Sequence, residues 1–288
     1  MFDGFTAFRT RANGITINGV RGGDGPPLLL LYGYPQTHVM WHRVAPRLAQ
    51  RFAVVCPDLR GYGDSDGPPS DAGHEPYGKR EMARDQLALM RELGFARFAT
   101  AAHDRGARVA RRLALDHPDA VDRLAVLDIV PTHVVYRDLD QRHATTVWRY
   151  FFLTQESDLP ERLIGADPGY YLDYTMDEWC GTDGAVTAEA RDEYRRCFDP
   201  ATVHATCEDY RAGATIDLRH DAVDATARIG SPVLVLWSAR GLGAAYDVLD
   251  VWRGEADDVR GRALDCGHFL AEERPDEVAA ALEHFMTA

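Results

Sequence analysis

A chain of 288 residues with 45% hydrophobic and 27% charged side chains can bury one large core. Its formal net charge of −13 argues against a nucleic-acid partner, because phosphate binding needs a basic face. The five cysteines contain no CxxC pair, which argues against a disulfide framework and against a zinc site. We therefore expect one main domain with reduced thiols.

The N-terminal segment lacks the features of a targeting signal. Residues 1–10 have neither a basic start nor an apolar stretch, and no run of about 18 apolar residues occurs along the chain. We therefore expect a cytoplasmic protein that does not associate with membranes.

The first 131 residues alternate between strand and helix patterns. Alternating apolar and polar residues on both sides of Asn13-Gly14 predict a β-hairpin. Short apolar runs closed by glycine then indicate strands that are buried on both faces of a parallel sheet. These strands lie within residues 28–33, 52–65, 97–102 and 123–131, and helical patterns lie between them in residues 40–50, 79–95 and 105–116.

The alternation of strand and helix patterns stops after Pro131 and returns near the C-terminus. Residues 132–224 are rich in Tyr, Trp and acidic side chains and lack buried-strand patterns. The later patterns are two strands and an amphipathic helix, at residues 231–241, 259–269 and 275–286. We therefore predict an α/β core made of residues 1–131 and 225–288, with a mostly parallel sheet, helices on both faces and residues 132–224 inserted as a helical lid.

Asp104 stands where a strand pattern meets a helix pattern. Taken alone it favours a helix N-cap, since aspartate accepts hydrogen bonds from the first free N–H groups of a helix. Small residues two positions before and after it, Ala102 and Gly106, complete the pattern of a nucleophile elbow, a sharp turn between a buried strand and a helix. A carboxylate at such a turn is already ionised and attacks a saturated carbon directly, which forms an alkyl ester on the enzyme.

Hydrolysis of an ester on Asp104 requires a base that activates water and an acid that orients the base. His268, in a glycine-preceded loop before the last helix, follows the chain order nucleophile, acid, base. The acid usually follows the next-to-last strand, but residues 236–243 carry no carboxylate, so Asp128 at the end of the preceding strand is the replacement candidate. A polar surface position for His268 and a turn or cap position for Asp128 are the alternatives.

With these residues, the chain resembles the haloacetate (fluoroacetate) dehalogenases of the α/β-hydrolase superfamily. The blocks HDRGAR, LAVLDIVPT, LIGADP, DYRAGATIDL and GHF are similar to blocks of that family along nearly the whole chain. HDRGAR together with LAVLDIVPT is specific to the family, whereas DLRGYGDSD marks only the superfamily. The resemblance implies an α/β-hydrolase fold, a small anionic organic substrate, no metal or organic cofactor, and a homodimer.

The resemblance also implies roles for individual residues. Asp104 would displace halide from the α-carbon, and His268 with Asp128 would direct water to the ester. Arg105 and Arg108 would hold the substrate carboxylate. Their i and i+3 spacing at a helix start places both side chains on one face, where the helix dipole adds to their attraction for an anion. A solvated basic stripe of Arg108, Arg111 and Arg112 is the alternative.

The loop before the first predicted helix contributes backbone groups and carries one departure from the family. The N–H groups of Tyr34 and Arg105 would face the ester oxygen during hydrolysis. The family pattern begins His-Gly where this chain has Tyr32-Gly33. The glycine turn is kept, but we expect the packing that aims this loop to differ.

A second departure lies in the predicted lid. The family's halide cradle takes donors from a Trp-His-Trp segment, which here is Trp148, Arg149 and Tyr150, and from a later tyrosine, here Tyr210. Fluoride is a poor leaving group that needs several aimed donors, so we expect weak cleavage of C–F bonds. Arg149 has three possible roles, as a third carboxylate ligand, a halide ligand or a lid salt bridge, and Trp148 is either pocket wall or core.

The two lid tyrosines also permit a different substrate. Epoxide hydrolases of the same superfamily use an Asp nucleophile and a His–Asp pair, with two lid tyrosines that protonate the epoxide oxygen. Tyr150 and Tyr210 are similar to that pair, because phenols suit an alkoxide leaving group that must gain a proton. Packing at the lid interface is the alternative for both tyrosines.

These observations lead to one prediction with two alternatives. We predict a hydrolase that displaces halide from a small 2-haloacid through a covalent aspartyl ester. A carboxylate-bearing epoxide is the second substrate candidate. A catalytically silent ligand-binding homologue is the third interpretation, which the joint presence of Asp104, Asp128 and His268 argues against.

Overall fold

The apolar runs of the chain pair into one central sheet. The computed structural model describes residues 1–240, 243 and 245–288, except for the side chain of Arg142. Its strands are β1 (Thr6–Ala12), β2 (Ile15–Gly22), β3 (Pro27–Leu31), β4 (Ala53–Pro57), β5 (Phe98–His103), β6 (Val121–Leu127), β7 (Val233–Ser238) and β8 (Val259–Leu264). Within the described residues, the sheet has the order β1-β2-β4-β3-β5-β6-β7-β8. The pairs β1·β2 and β2·β4 are antiparallel and the other five pairs are parallel.

The predicted hairpin and the predicted buried strands are confirmed. Asn13 and Gly14 join β1 to β2 with φ of 46° and 83°, a region that asparagine and glycine tolerate. Residues 28–31 of β3 and 124–127 of β6 are 0% exposed, as expected for strands covered on both faces. Because β3, β5, β6 and β7 run parallel, their carboxyl ends meet at one edge of the sheet.

The helices α1 (Ala45–Leu48), α2 (Lys79–Glu92) and α3 (Asp104–Asp116) lie between β3 and β6, with short 3-10 helices at His38–Trp41 and Glu75–Tyr77. The prediction of one helix over residues 40–50 is wrong in its extent. A separate short helix begins there with Pro46 in its first turn. Proline lacks the N–H that an interior helix position needs, so it favours a helix start.

Helices fill the stretch between β6 and β7, where the described residues contain no strand. They are α4 (Thr132–Arg137), α5 (Gln141–Thr146), α6 (Trp148–Leu153), α7 (Leu159–Ala166), α8 (Pro168–Trp179), α9 (Ala188–Cys197), α10 (Pro200–Ala214) and α11 (Ile216–Val223). Several aspartates of this stretch accept hydrogen bonds at helix N-caps, namely Asp140, Asp167 and Asp199. We call residues 132–224 the lid. In the described parts of the chain, no helix has the length and apolar character needed to cross a membrane.

The C-terminal part contributes α12 (Val248–Glu255), α13 (Leu270–Glu273) and α14 (Pro275–Thr287). The short α12 was not predicted; its start is capped by Asp247, which accepts a hydrogen bond from the N–H of Asp250 at 3.0 Å. The strand predicted over residues 231–241 is β7, and Gly241 at its end lies outside the described residues.

Helix α3 lies unusually close to the end of β3. A Cβ added to Gly106 would overlap the carbonyl oxygen of Tyr32 and lie 2.8 Å from its nitrogen. Glycine therefore lets α3 start directly against the loop that follows β3, and this contact fixes the relative position of the two segments.

We expect Gly106→Ala to lower the free energy of unfolding by about 1–3 kcal/mol, the usual range for overpacking. Gly254→Ala is the matched control, because Gly254 is helical in α12 and an added Cβ there meets nothing within 4 Å. That control should raise the same free energy by about 0.5–1 kcal/mol through helix propensity. Urea denaturation followed by circular dichroism measures both; an unchanged value for Gly106→Ala would contradict the close contact.

Candidate active site

Asp104 occupies the turn between β5 and α3. Its φ of 48° lies in the left-handed region, where a residue with a side chain is strained. The N-cap alternative is not supported, because Asp104 is the first residue of α3 and its cap is His103, without a side-chain hydrogen bond. The carboxylate is instead held by the loop after β3, since Asp104 Oδ1 accepts a hydrogen bond from the N–H of Tyr34 at 2.9 Å. A Cβ on Gly33 would overlap this carboxylate oxygen, which explains the glycine there.

His268 and Asp128 meet beside Asp104. Nδ1 of His268 lies 2.6 Å from Asp128 Oδ2, and Nε2 lies 3.7 Å from Asp104 Oδ2. The other oxygen of Asp128 accepts a hydrogen bond from the N–H of Ser238 at 2.8 Å. The end of β7 therefore orients the acid that follows β6, and the structure places the three predicted side chains in the order nucleophile, base, acid.

The environment of His268 favours its protonated form. Burial opposes the charge, but the hydrogen bond and charge of Asp128, with the charge of Asp104, raise the pKa of His268 above its usual value. The neighbouring His103 behaves in the opposite way, since burial and His268 lower its pKa to about 4. His103 therefore stays neutral while its Nε2 donates to the carbonyl of His268 at 2.7 Å. A positive charge on His268 is therefore not opposed by a second positive charge on His103.

A cavity of about 580 Å³ opens above these side chains, between the core and the lid. Six predicted residues contribute to its wall: Asp104, Asp128 and His268 from the core, and Arg149, Tyr150 and Tyr210 from the lid. The rings of the two tyrosines are perpendicular, with centroids 5.4 Å apart. Polar lid groups thus face the Asp104 carboxylate across this cavity.

Comparisons with known proteins agree with this geometry. The family profile for the alpha/beta hydrolase fold matches residues 26–168. A fluoroacetate dehalogenase from Burkholderia sp is 44% identical over 100% of this chain and 95% of the relative. The chain belongs to the α/β-hydrolase family. Its resemblance to the haloacetate dehalogenases is thereby confirmed.

Two further proteins, a curated epoxide hydrolase and a protein of known structure, are also similar to this chain. A soluble epoxide hydrolase from Corynebacterium sp. (strain C12) is 33% identical over 97% of each chain. The crystal structure of an α/β-hydrolase-fold protein from Nostoc sp PCC 7120 is 54% identical, covers 100% of this chain and 99% of that chain, and superposes with a TM-score of 0.99. The relatives of this α/β hydrolase therefore include both a dehalogenase and an epoxide hydrolase.

The two arginines of the predicted carboxylate clamp are buried in this α/β hydrolase, not solvated. Arg105 is 1% exposed and Arg108 is 4% exposed, so the basic-stripe alternative is wrong. Among the described residues, neither contributes to the cavity wall. Arg105 lies against the Tyr210 ring, 4.0 Å from its centroid, and Nη2 of Arg108 donates to the Tyr150 hydroxyl at 2.5 Å. Both arginines therefore contact the lid tyrosines on the side away from the cavity.

Sequence reasoning missed Asp209, the partner of Arg105. Nε and Nη2 of Arg105 donate to the two Asp209 carboxylate oxygens at 2.9 and 2.7 Å. Lys79, the chain's single lysine, also contacts this carboxylate, and the Tyr62 hydroxyl donates to it at 2.6 Å. Burial opposes the charge of Asp209, but Arg105 and Lys79 hold its pKa well below the usual range. A solitary lysine in an arginine-rich chain was the available signal, although it gives no partner.

Tyr32 stands where the family has a histidine, and its hydroxyl group forms two hydrogen bonds. It donates to Asp58 Oδ1 at 2.9 Å and accepts from the N–H of Leu59 at 3.3 Å. Asp58 also accepts from the backbone and ring of His38. The loop that carries Tyr34 is therefore tied to the segment after β4 through a buried carboxylate.

Arg149 lies in an aromatic cage at the lid side of the cavity. Its guanidinium carbon is 4.3 Å from the Trp148 ring centroid and 4.9 Å from that of Trp179, and Nη1 pairs with Glu178 at 2.5 Å. Arg149 is 2% exposed, and its Nη2 has no hydrogen-bond partner among the described residues. The structure thus contains the predicted lid salt bridge, and it leaves the Nη2 donor of Arg149 unpaired among the described residues. Trp148 stacks on Arg149 and is not part of the described cavity wall.

Side chains of types that can ligate a metal ion approach one another elsewhere in the described chain. The two groups with suitable spacing are Asp64, Glu193 and Cys197, and Asp158, Glu161 and His204. Neither group contributes to the cavity wall, and each contains at least one carboxylate that pairs with an arginine.

We expect Asp209→Ala to lower the free energy of unfolding by about 3–5 kcal/mol, because Arg105 and Lys79 would remain buried without their counter-charge. Asp257→Ala is the control, since Asp257 pairs with Arg228 at 2.6 Å but is 66% exposed. That exposed pair should contribute about 0–1 kcal/mol. Urea denaturation of both variants measures the difference, and equal losses would contradict a structural role of the buried carboxylate.

Proposed function

We propose that this α/β hydrolase cleaves a bond at a saturated carbon of a small organic acid by forming an ester on Asp104, with 2-haloacids as the first candidate substrates. The observation that carries the proposal is the position of the Asp104 carboxylate, which lies on the cavity wall with Nε2 of His268 3.7 Å away. A carboxylate nucleophile needs no activation, whereas its ester needs a base for hydrolysis.

The two oxygens of Asp104 have different neighbours, which suggests different roles. Oδ1 accepts the Tyr34 N–H bond, so Oδ2, nearer His268, is the oxygen that attacks the α-carbon. The C–Oδ2 bond forms as the carbon–halogen bond breaks and halide leaves toward the lid. Water then attacks Cγ and gives its proton to His268 Nε2, while the negative charge develops on Oδ1 beside the Tyr34 N–H. The Cγ–Oδ2 bond then breaks, and the departing alkoxide oxygen takes the proton from His268 Nε2, which releases the 2-hydroxyacid. Asp104 keeps the oxygen of the water molecule, and loss of the remaining proton to solvent restores its carboxylate.

Arg108 supports an anionic substrate. It is buried, and its partners are the hydroxyl groups of Thr132 and Tyr150 rather than a carboxylate. Its Nε has no hydrogen-bond partner in the described structure. A buried cation with no carboxylate partner among the described residues is costly, and a substrate carboxylate that reached it past Tyr150 would compensate it, since Arg108 itself lies behind the cavity wall. Arg105 differs, because Asp209 already balances its charge.

The cavity volume and Arg149 support an acid with more than two carbons. Cavities of roughly 300–1,000 Å³ accommodate drug-sized ligands, and the volume here is about 580 Å³. A haloacetate would fill a small part of it. The Nη2 donor of Arg149 would bind an acceptor group on the longer part of such a substrate. Arg149 and Tyr150 replace the family's His and Trp donors, so the groups aimed at a departing fluoride are altered, which supports poor C–F cleavage.

A carboxylate-bearing epoxide is the second candidate, and the contact between Arg108 and Tyr150 favours it. Because Arg108 Nη2 donates to the Tyr150 oxygen, the phenol's own hydrogen is free to be donated elsewhere. Tyr150 and Tyr210 both contribute to the cavity wall. Two phenols opposite the nucleophile would donate to an epoxide oxygen and protonate the alkoxide as the ring opens.

A substrate panel separates the two candidates. Chloroacetate, a longer 2-chloroacid, fluoroacetate and glycidate are offered to the wild-type protein, and halide and diol are measured. We expect chloride release from both chloroacids, with a higher kcat/KM for the longer acid than for chloroacetate. We expect fluoride release from fluoroacetate to be at least about tenfold slower than chloride release from chloroacetate. Diol formation without halide release would instead support the epoxide reaction. Asp104→Asn serves as the control for uncatalysed reaction.

His268→Asn tests the covalent step directly. We expect chloride release to stop after about one equivalent per protein, because the base for ester hydrolysis is removed. Mass spectrometry of the Asp104 peptide should then show the added mass of a carboxyalkyl group, which the wild type does not accumulate. An unmodified peptide after incubation with a compound that the wild type converts would contradict the ester mechanism.

A further inference from the structure

The loop that carries His268 is held by one buried carboxylate outside the proposed reacting groups. Glu273, the last residue of α13, is 5% exposed. Its Oε2 accepts a hydrogen bond from the N–H of Gly267 at 2.8 Å, and its Oε1 accepts from the N–H of Phe269 at 3.1 Å. Glu273 therefore binds the residues immediately before and after His268.

The same carboxylate reaches the lid. Glu273 Oε2 also accepts from the N–H of Gly181 at 3.0 Å, just beyond the end of α8. The N–H of His268 donates to the carbonyl of Trp179 at 2.8 Å, which adds a second link between the two segments. Side chains on Gly181 or Gly267 would overlap the opposite backbone, so glycine permits this approach.

We propose that Glu273 is a positioning residue, which fixes both sides of His268 and ties its loop to the end of α8, so that Nε2 is aimed at the water that hydrolyses the Asp104 ester. This inference rests on the proposed ester mechanism. A charged acceptor that binds three N–H groups is stronger than neutral acceptors would be, and three bonds define the loop more narrowly than one. Displacing a catalytic group by about 1 Å can cost roughly 100-fold in rate.

The proposal assigns Glu273 to one of the two chemical steps. Asp104 attacks its substrate without the help of His268, so alkylation does not depend on the His268 loop. Hydrolysis does depend on it. A general loss of folding would slow both steps together, whereas loss of positioning slows only hydrolysis.

The neighbouring Glu272 provides a matched control. It is buried, but it contacts Gln36 and the Tyr194 hydroxyl rather than the His268 loop. Burial raises the pKa of Glu272 to about 8, so its side chain is mainly protonated near neutral pH. Glu272→Gln therefore replaces one neutral hydrogen-bonding group with another of similar shape.

The test uses single-turnover kinetics with the 2-chloroacid that the wild type converts fastest. Chloride release reports alkylation, and 2-hydroxyacid formation reports hydrolysis. We expect Glu273→Ala to keep the alkylation rate constant within about threefold and to lower the hydrolysis rate constant roughly 10- to 100-fold. Glu273→Gln, which keeps one acceptor oxygen, should fall between Glu273→Ala and the wild type. The ester on Asp104 should accumulate in both variants and not in Glu272→Gln.

Three results would overturn the inference. An unchanged ratio of the two rate constants in Glu273→Ala and Glu273→Gln would show that His268 needs no such support. An equal decrease of both rate constants would indicate a purely structural role. If Glu273→Ala is unstable, the rate constants of Glu273→Gln are compared instead, after thermal unfolding has shown that this variant is folded. If Glu272→Gln accumulated as much ester as the Glu273 variants, the effect would not be specific to Glu273. Failure of the mechanism itself is distinct, because His268→Asn would then accumulate no ester.

Discussion

The strained turn at Asp104 is the constraint on which the site depends. A left-handed conformation costs an ordinary residue about 1–2 kcal/mol, and here it is maintained by the strand before it, the helix after it and the Tyr34 N–H bond. Asp128 has the same φ of 48° at the end of the adjacent strand. The parallel register that pairs His103 with Leu127 places these two turns side by side. Neighbouring parallel strands thus deliver both carboxylates to one edge of the sheet.

Core and lid divide the chemistry between them. The core supplies Asp104, His268 and Asp128, the three side chains that the proposed ester mechanism uses. The lid supplies Tyr150 and Arg149, which line the same cavity and, in the proposed reaction, would meet the leaving group and the rest of the substrate. This division explains how relatives with a dehalogenase or epoxide hydrolase activity share one fold, since only the groups around the departing atom need to change.

Local patterns in the sequence predict the buried strands, the elbow and the displaced acid, because each of these follows from residues close together in the chain. Asp128 was identified since the usual position after β7 has no carboxylate. Asp209 and Glu273 could not be found in this way. Their partners lie far away in sequence or are backbone N–H groups, for which side-chain patterns give no signal. The short helices α1 and α12 were misjudged or missed because so few residues show no clear period.

The distribution of charge is compatible with the anionic substrate proposed for this acidic protein. The net charge of −13 repels anions at long range, but salt screens surface charges beyond about 8 Å at physiological ionic strength. Inside the fold, Asp209 balances Arg105 and Glu178 pairs with Arg149, whereas Arg108 has hydroxyl partners. In the proposed reaction, the guanidinium next to Tyr150 would be the buried charge that attracts a carboxylate. The same guanidinium that would hold the acid also orients the phenol opposite Asp104, which links recognition of the anion to the placement of the leaving group.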